Sequence, residues 1–247
     1  MYTKIIQSGN QIEVYKYSKK LNVHRQKRNY RKNKRFKKTK NDSRPARQYR
    51  SIKSIQRARS SFFRLVAANL ETAELPAFIT LTFAGNETDI RYAYQCLNKY
   101  TANLRKVYPR LSYIVVPEWQ KRGALHFHCL TWGTSGKDHE TEHQTRNHQR
   151  LWARGYVDVR AAKNNNLAIA GYMAKYLVKA LEDTRLSNQR AYSTSRNIKR
   201  PTAAGSNQLS EYMDVIMPDS KDLKINKVKN YDTMWLGSCE YIKYNKK

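Results

Sequence analysis

The spacing of hydrophobic positions along the chain predicts a series of alternating helices and strands. Helical spacing of apolar residues, together with one polar stretch that ends in an apolar pair, predicts four helices: 51–70, 88–107, a segment ending at Trp152, and 167–182. Short runs typical of strands occur near residues 77–84, 111–118, 124–132 and 155–160. This order of elements predicts an α+β fold, with an antiparallel-rich central sheet and helices packed on one face.

Composition divides the chain into three regions. Residues 1–50 are predicted to form a basic, flexible N-terminal arm, because Lys and Arg dominate from residue 16 onwards with aromatic residues interleaved. Such an arm is compatible with a solvated segment, with a nucleic-acid tether and with a nuclear localisation signal. Residues 51–182 hold the periodic elements and form the predicted core domain. Residues 183–247 are a C-terminal extension without an assigned role.

The charge of the chain predicts an anionic partner. The formal net charge is +29 and the pI is about 10.1, and such a field attracts phosphate backbones. Membrane surfaces are the competing anionic partner, but no apolar run approaches about 18 residues and no signal peptide is evident, so we expect no membrane association. The three cysteines are widely spaced and suit a reducing compartment. We therefore expect a cytoplasmic protein, with the nucleus as the alternative location.

Two histidines one residue apart are the first candidate for chemistry. In a strand, residues two apart point to the same face, so His126 and His128 project together. Two imidazoles and a carboxylate can chelate one divalent cation, and Glu118 lies shortly upstream. Mg²⁺ or Mn²⁺ is the expected cofactor, while zinc or iron is also compatible with this set of ligand types.

Two tyrosines on the predicted helix 167–182 are the second candidate. At about 100° per residue, Tyr172 and Tyr176 share one side of the helix next to its apolar face. Lys175 and Lys179 continue around the helix from them. A tyrosine ordinarily titrates near pH 10, and a neighbouring ammonium group or metal ion favours the nucleophilic phenolate.

Together these residues resemble the HUH endonucleases, and more closely the rolling-circle replication initiators (Rep proteins) of small phages and plasmids. The resemblance covers roughly residues 50–182 and rests on three motifs in order: Phe78-Ile79-Thr80-Leu81-Thr82-Phe83, His126-Phe127-His128 and Tyr172-Met173-Ala174-Lys175-Tyr176. It implies an HUH/RRM-like fold, with Glu118 as the third metal ligand beside the two histidines.

The resemblance also implies an activity, the nicking and rejoining of single-stranded DNA at a replication origin. Tyr172 is the implied nucleophile, forming a 5′-phosphotyrosine, with Lys175 beside it and Tyr176 as a second nucleophile. The residues expected to contact DNA are Thr80, Thr82, Lys121, Arg122 and Lys179. Because the chain contains no P-loop motif, a host helicase and a host polymerase are the further expected partners.

Three other functions remain compatible with the sequence. A single-tyrosine HUH transposase uses the same chemistry, although its helix usually pairs the tyrosine with Gln. A non-catalytic nucleic-acid-binding protein accounts for the charge and the aromatic residues, but leaves the joint Glu, His, His and Tyr set unexplained. An iron oxygenase with two histidines and one carboxylate accounts for the ligands alone.

Overall fold

The computed structural model describes residues 2–19, 51–70, 75–134, 141–161, 167–186, 189–205, 223–233 and 236–246. The chain divides into two compact units. One unit, Tyr49–Arg200, is continuous in sequence, and the other combines Met1–Gln48 with Pro201–Lys247. Each unit contains one five-stranded antiparallel sheet, and the first also contains the helices of the described residues. The predicted α+β class is therefore confirmed.

The described elements follow the predicted order closely between residues 51 and 182. The helices are α1 (Ile52–Ala67), α2 (Ile90–Val107), α3 (Thr141–Trp152) and α4 (Leu167–Glu182), with a 3-10 turn at Thr184–Leu186. The strands are β1 (Tyr2–Ser8), β2 (Gln11–Tyr17), β3 (Ala77–Thr82), β4 (Ser112–Trp119), β5 (Leu125–Trp132), β6 (Val157–Ala161), β7 (Ser193–Thr194), β8 (Thr202–Gly205), β9 (Leu223–Thr233) and β10 (Gly237–Lys246). All four predicted helices and all four predicted strands are present, with their ends shifted by a few residues.

The sheet of the Tyr49–Arg200 unit has the strand order β6-β3-β5-β4-β7, and its strands pair antiparallel. The central strand, β5, is buried along its whole length, as is expected of a strand covered on both faces. Gly123 has a φ of 90° in the turn between β4 and β5, where its N–H donates to the Gln120 carbonyl. This tight turn fixes the register that places Glu118 opposite His126.

Helices cover both faces of this sheet. On one face, the Phe127 ring contacts Tyr94 of α2, with the ring centroids 5.5 Å apart. On the other face, the His128 ring contacts Tyr176 of α4 at 3.6 Å. The sequence predicted helices on one face, whereas α4 lies on the second face because its own apolar side is buried there.

Side-chain caps set the beginnings of two helices. The hydroxyl of Ser51 accepts a hydrogen bond from the Ser54 N–H at 3.3 Å at the start of α1. The carboxylate of Asp89 accepts from the N–H groups of Arg91 and Tyr92 at 2.8 and 3.2 Å at the start of α2. These contacts satisfy backbone donors that have no partner within the helix.

The second unit is a sheet built from both ends of the chain, with the order β8-β1-β2-β10-β9. Here the structure differs from the flexible arm predicted over residues 1–50, because residues 2–17 form the β1–β2 hairpin. It also differs from the loop-like extension, which supplies β8, β9 and β10. The basic run over residues 20–50 lies outside the described residues, so the arm predicted there remains a prediction.

The described helices were also compared with the dimensions of a bilayer. None of those within the described ranges is both long and apolar enough to cross a membrane.

Candidate active site

Three neighbouring strands bring the predicted ligand residues to one face of the Tyr49–Arg200 sheet. His126 on β5 lies between Thr82 of β3 and Glu118 of β4 in the strand register. His128 follows two residues later, with Thr80 opposite it on β3. Because side chains alternate along a strand, these five residues share one face, as the sequence predicted for the two histidines.

The Glu118 carboxylate is held by two groups. His128 Nε2 lies 2.6 Å from Glu118 Oε2, and Lys179 Nζ of α4 lies 2.7 Å from Glu118 Oε1. Burial opposes ionisation of this carboxyl group, but the hydrogen bonds from His128 and Lys179 outweigh it and lower the pKa of Glu118 to about 2. Glu118 is therefore an anion at neutral pH, with one cation and one imidazole against it.

His126 is a buried, neutral imidazole. Burial, followed by the charges of His128 and Arg122, lowers the pKa of His126 to about 4, although Glu118 acts in the opposite direction. Its Nδ1 lies 3.2 Å from the Thr82 hydroxyl oxygen. When Nδ1 carries the proton and donates it to Thr82, the lone pair of Nε2 is available to a ligand.

The two tyrosines of α4 contact each other and the histidine pair. The Tyr176 hydroxyl donates to the Tyr172 oxygen at 2.6 Å. The Tyr176 ring stacks on His128 with an interplanar angle of 28°, and Lys179 Nζ lies 5.5 Å from the same ring. Tyr172 is 44 % exposed and packs against Phe78 at 5.3 Å.

The two phenols differ in environment. Burial is the largest cause that raises the pKa of Tyr176 above its usual range, followed by the hydrogen bond to Tyr172. Tyr176 is therefore a protonated donor at neutral pH, while Tyr172 presents an exposed oxygen that accepts from it. This asymmetry makes Tyr172 the better candidate for the nucleophile.

Two cavities border the site. One, of about 480 Å³, adjoins both tyrosines and is lined by Phe78, Thr80 and the ion-paired Asp158 and Arg160, among others. The other, of about 570 Å³, adjoins the metal-ligand candidates and is lined by Glu118, His126, Lys121 and Lys179, among others. Both have the dimensions of ligand pockets, and each opens next to one of the two predicted chemical groups.

The remaining predicted site residues lie around this centre with different contacts. Lys175 is exposed on α4, and the lysine that reaches Glu118 is Lys179, one helical turn further on. Lys121 is exposed in the β4–β5 turn. Arg122 donates to the Phe83 carbonyl at 2.8 Å and to the Gln120 side chain at 2.9 Å, so its guanidinium group supports the turn. The catalytic role of Lys175 and the DNA contacts of Lys121 and Arg122 remain predictions.

The structure adds two features that the sequence analysis did not assign. Phe78 packs against Tyr172, Tyr176 and His128, with ring centroids between 5.3 and 6.2 Å apart. The Asp158–Arg160 ion pair, 2.7 Å between Nε and Oδ2, lines the cavity beside Tyr172. Two-residue alternation on β3 was the signal for Phe78, which shares the face of Thr80 and Thr82.

The ligand types fit a divalent cation, but their side chains do not form a finished coordination sphere. Glu118, His126 and His128 share one face, and the two imidazole rings lie 4.8 Å apart. Across the described ranges, no group of three His, Cys, Asp or Glu side chains is arranged to hold a metal ion. The Glu118 carboxylate is instead satisfied by Lys179 and His128, contacts that a bound cation would have to replace.

Comparison with protein families identifies one similarity. Residues 76–181 match the model of the replication-associated protein (ORF2) family. The match spans 106 of the 247 residues, from β3 through α4, and contains every predicted site residue. It supports a Rep-type protein with a role in replication initiation. Comparisons with curated proteins and with solved structures found no match.

Proposed function

We propose that the protein initiates rolling-circle replication by nicking and rejoining single-stranded DNA at an origin, through a 5′-phosphotyrosine on Tyr172. The single observation that carries this proposal is the position of Tyr176. It contacts the Tyr172 oxygen by hydrogen bond and the His128 ring by stacking. A candidate nucleophile is thereby linked directly to the candidate metal-ligand residues.

In the proposed cleavage, the Tyr172 oxygen attacks the scissile phosphorus and the bond from phosphorus to the 3′ oxygen breaks. The Tyr172 proton passes to water, and the departing 3′ oxygen takes up a proton, leaving a free 3′-OH and a 5′-phosphotyrosine. The hydrogen bond from Tyr176 stabilises negative charge on the Tyr172 oxygen as its proton leaves. In rejoining, a 3′-OH attacks the same phosphorus and releases Tyr172.

The ligand types support a divalent cation as cofactor. Glu118, His126 and His128 would hold Mg²⁺ or Mn²⁺, which supplies Lewis-acid stabilisation of charge on the phosphate oxygens. His126 is neutral and Glu118 is ionised at neutral pH, which are the protonation states that a cation requires. Lys179, close to both Glu118 and the Tyr176 ring, is positioned to contact the phosphate once a cation takes its place on Glu118.

Tyr176 has two compatible roles. In the arrangement described, it is a donor that supports Tyr172. As a second nucleophile, the role implied by the resemblance, it would act in a later strand transfer after leaving the His128 ring. Host helicase and polymerase would then supply strand separation and synthesis from the 3′-OH, and the host cytoplasm is the expected location.

The deciding experiment is cleavage of single-stranded DNA from the protein's own replicon in the presence of Mn²⁺ or Mg²⁺. Wild type should form a denaturant-resistant adduct that maps by peptide mass spectrometry to Tyr172. Tyr172→Phe should abolish the adduct, and His126→Ala should abolish or strongly reduce it. Omission of metal should have the same effect as His126→Ala. Tyr156→Phe is a suitable control, because Tyr156 is an exposed tyrosine outside the site.

If DNA binding stays tight and salt-dependent while no adduct forms on any DNA of that replicon, the nickase proposal fails. The non-catalytic nucleic-acid-binding function would then be the better account of the charge.

A further inference from the structure

The terminal sheet, formed by β8, β1, β2, β10 and β9, has two chemically different faces. Strand register places residues two apart on one face, and pairing aligns them across the sheet. One face carries the aliphatic residues that form the small core of this unit, including Ile5, Ile12, Val14 and Ile242. The opposite face carries five tyrosines and five lysines, and we call it the tyrosine–lysine face. Its members are Tyr2, Tyr15, Tyr17, Tyr231 and Tyr241, with Lys4, Lys224, Lys227, Lys229 and Lys243.

The tyrosine rings form a connected row across the strands. Tyr2 on β1 stacks with Tyr17 on β2, with centroids 6.0 Å apart and an interplanar angle of 27°. Tyr17 lies nearly parallel to Tyr15, at 6.4 Å and 9°, and Tyr15 contacts Tyr241 on β10 at 4.9 Å. Tyr231, opposite Cys239 on the outer strand β9, is 42 % exposed. A polar sheet surface has no packing need for so many rings.

Charge is distributed unevenly between the two faces. The tyrosine–lysine face carries five lysines against a single acid, Glu13, whose carboxylate accepts hydrogen bonds from Tyr15 and Tyr241 at 3.3 and 2.8 Å. The aliphatic face balances its charges, because Lys16 pairs with Glu240 at 2.9 Å and Lys246 is offset by Asp232. Three lysines, Lys224, Lys227 and Lys229, are exposed on β9.

From this combination we infer that the tyrosine–lysine face is a second binding site, specific for single-stranded DNA. Aromatic rings bind unpaired bases by stacking, and lysines beside them neutralise phosphates. Bases inside a duplex are stacked on each other and are not available to rings that lie on a sheet surface. The site belongs to the terminal unit alone and uses none of the residues of the candidate active site, so the inference does not depend on cleavage.

The inference can be tested by fluorescence-anisotropy titration of the full chain with a single-stranded oligothymidine, in EDTA to prevent metal-dependent cleavage. A duplex of the same length serves as the competing ligand. Tyr17→Leu and Tyr231→Leu remove the ring but keep an apolar side chain. Each should weaken binding of single strands about fivefold or more, the effect of losing one stacked base. Tyr231→Phe keeps the ring and should bind like wild type.

The lysines provide an independent measurement. Removing two phosphate contacts by Lys227→Gln with Lys229→Gln should reduce the slope of log K against log salt by about 1.4. Lys16→Gln is the matched control from the opposite face and should leave the slope unchanged. Ultraviolet crosslinking of the wild-type complex, followed by peptide mapping, should identify Tyr17 or Tyr231, and it needs no substitution that risks the fold.

Three results would overturn the inference. One is affinity and salt slope unchanged in the tyrosine and lysine variants, with crosslinks confined to residues 49–200. Another is equal affinity for duplex and single strand that both sets of variants reduce alike. The third is sedimentation showing a dimer of the chain that Tyr231→Leu dissociates, which would assign this face to self-association.

Discussion

The Tyr176 hydroxyl donates a hydrogen bond to the Tyr172 oxygen at 2.6 Å, while the Tyr176 ring lies flat against His128 at 3.6 Å. Residues four apart on a helix are neighbours on its surface, so the spacing of the two tyrosines brings them together. The β5 register then brings His128 beneath the second one. Tyr176 is the side chain that joins the helix to the histidine pair, and its two contacts can be separated by mutation.

Tyr176→Phe keeps the ring on His128 and removes only the hydroxyl. A hydrogen bond to a group that becomes charged contributes about 1.5–3 kcal/mol, so the rate of adduct formation on Tyr172 should fall about tenfold or more. The adduct should nevertheless still form. Single-turnover cleavage with gel detection of the adduct measures this rate. A Tyr176→Phe protein that forms adduct at the wild-type rate would show that the hydrogen bond plays no part in attack.

Lys179 and a divalent cation should compete for Glu118. Because the ammonium lies 2.7 Å from Glu118 Oε1, Lys179→Met should remove a positive charge from the proposed cation position and raise Mn²⁺ affinity several-fold. DNA cleavage should decrease, since the same lysine is the proposed phosphate contact. Isothermal titration of Mn²⁺ into the DNA-free protein measures the affinity.

The control for that measurement lies on the same helix. Lys175→Met removes an exposed lysine and should leave Mn²⁺ affinity unchanged. Glu118→Gln should abolish it. If Lys179→Met and Glu118→Gln both bind Mn²⁺ as wild type does, the cation is held elsewhere or not at all.

His148 makes the stability of the core domain depend on pH. It is fully buried, its Nδ1 lies 2.7 Å from the Tyr100 hydroxyl oxygen, and burial lowers its pKa from 6.5 to about 4. A depressed folded-state pKa means that stability is complete above pH 6.5 and is lost as pH falls towards 4, because the unfolded chain binds the proton first. For this one group the loss is on the order of 2–3 kcal/mol.

Thermal unfolding followed by circular dichroism across that pH range measures the effect. His126 titrates in the same direction, so His148→Gln should remove part of the pH dependence and leave the rest. The same slope in His148→Gln and wild type would mean that His148 is not the group responsible.

The sequence was a good guide wherever a short-range pattern determines the structure. The alternation of His126 and His128, the helical spacing of Tyr172 and Tyr176, and the turn at Gly123 each depend on a few neighbouring residues. They therefore place the site on the correct elements. The exact contacts depend on packing between elements, which is why the lysine on Glu118 is Lys179, a residue that the sequence analysis assigned to DNA contact.

The terminal sheet shows where sequence reasoning stopped. Its hairpin at residues 2–17 pairs with strands beyond residue 200, and such pairing between distant segments leaves no local periodic signal. The alternating tyrosines of β2 were present in the sequence, but the neighbouring basic run dominated the interpretation of that region. Strand pairing, rather than composition, separates residues 2–17 from the basic run that follows.

Thr82 should position His126 for metal binding. Its hydroxyl lies 3.2 Å from His126 Nδ1, and groups that orient a metal-binding histidine typically contribute 10–100-fold to metal affinity or activity. Thr82→Val keeps the shape of the side chain and removes the hydroxyl. Mn²⁺ affinity and the rate of adduct formation should both fall about tenfold, with the unfolding temperature nearly unchanged. Thr80→Val is the matched control on the same strand and face, opposite His128, and should leave Mn²⁺ affinity at the wild-type value. Equal losses in the two variants would point to a general effect of β3 on the site rather than to the Thr82–His126 hydrogen bond.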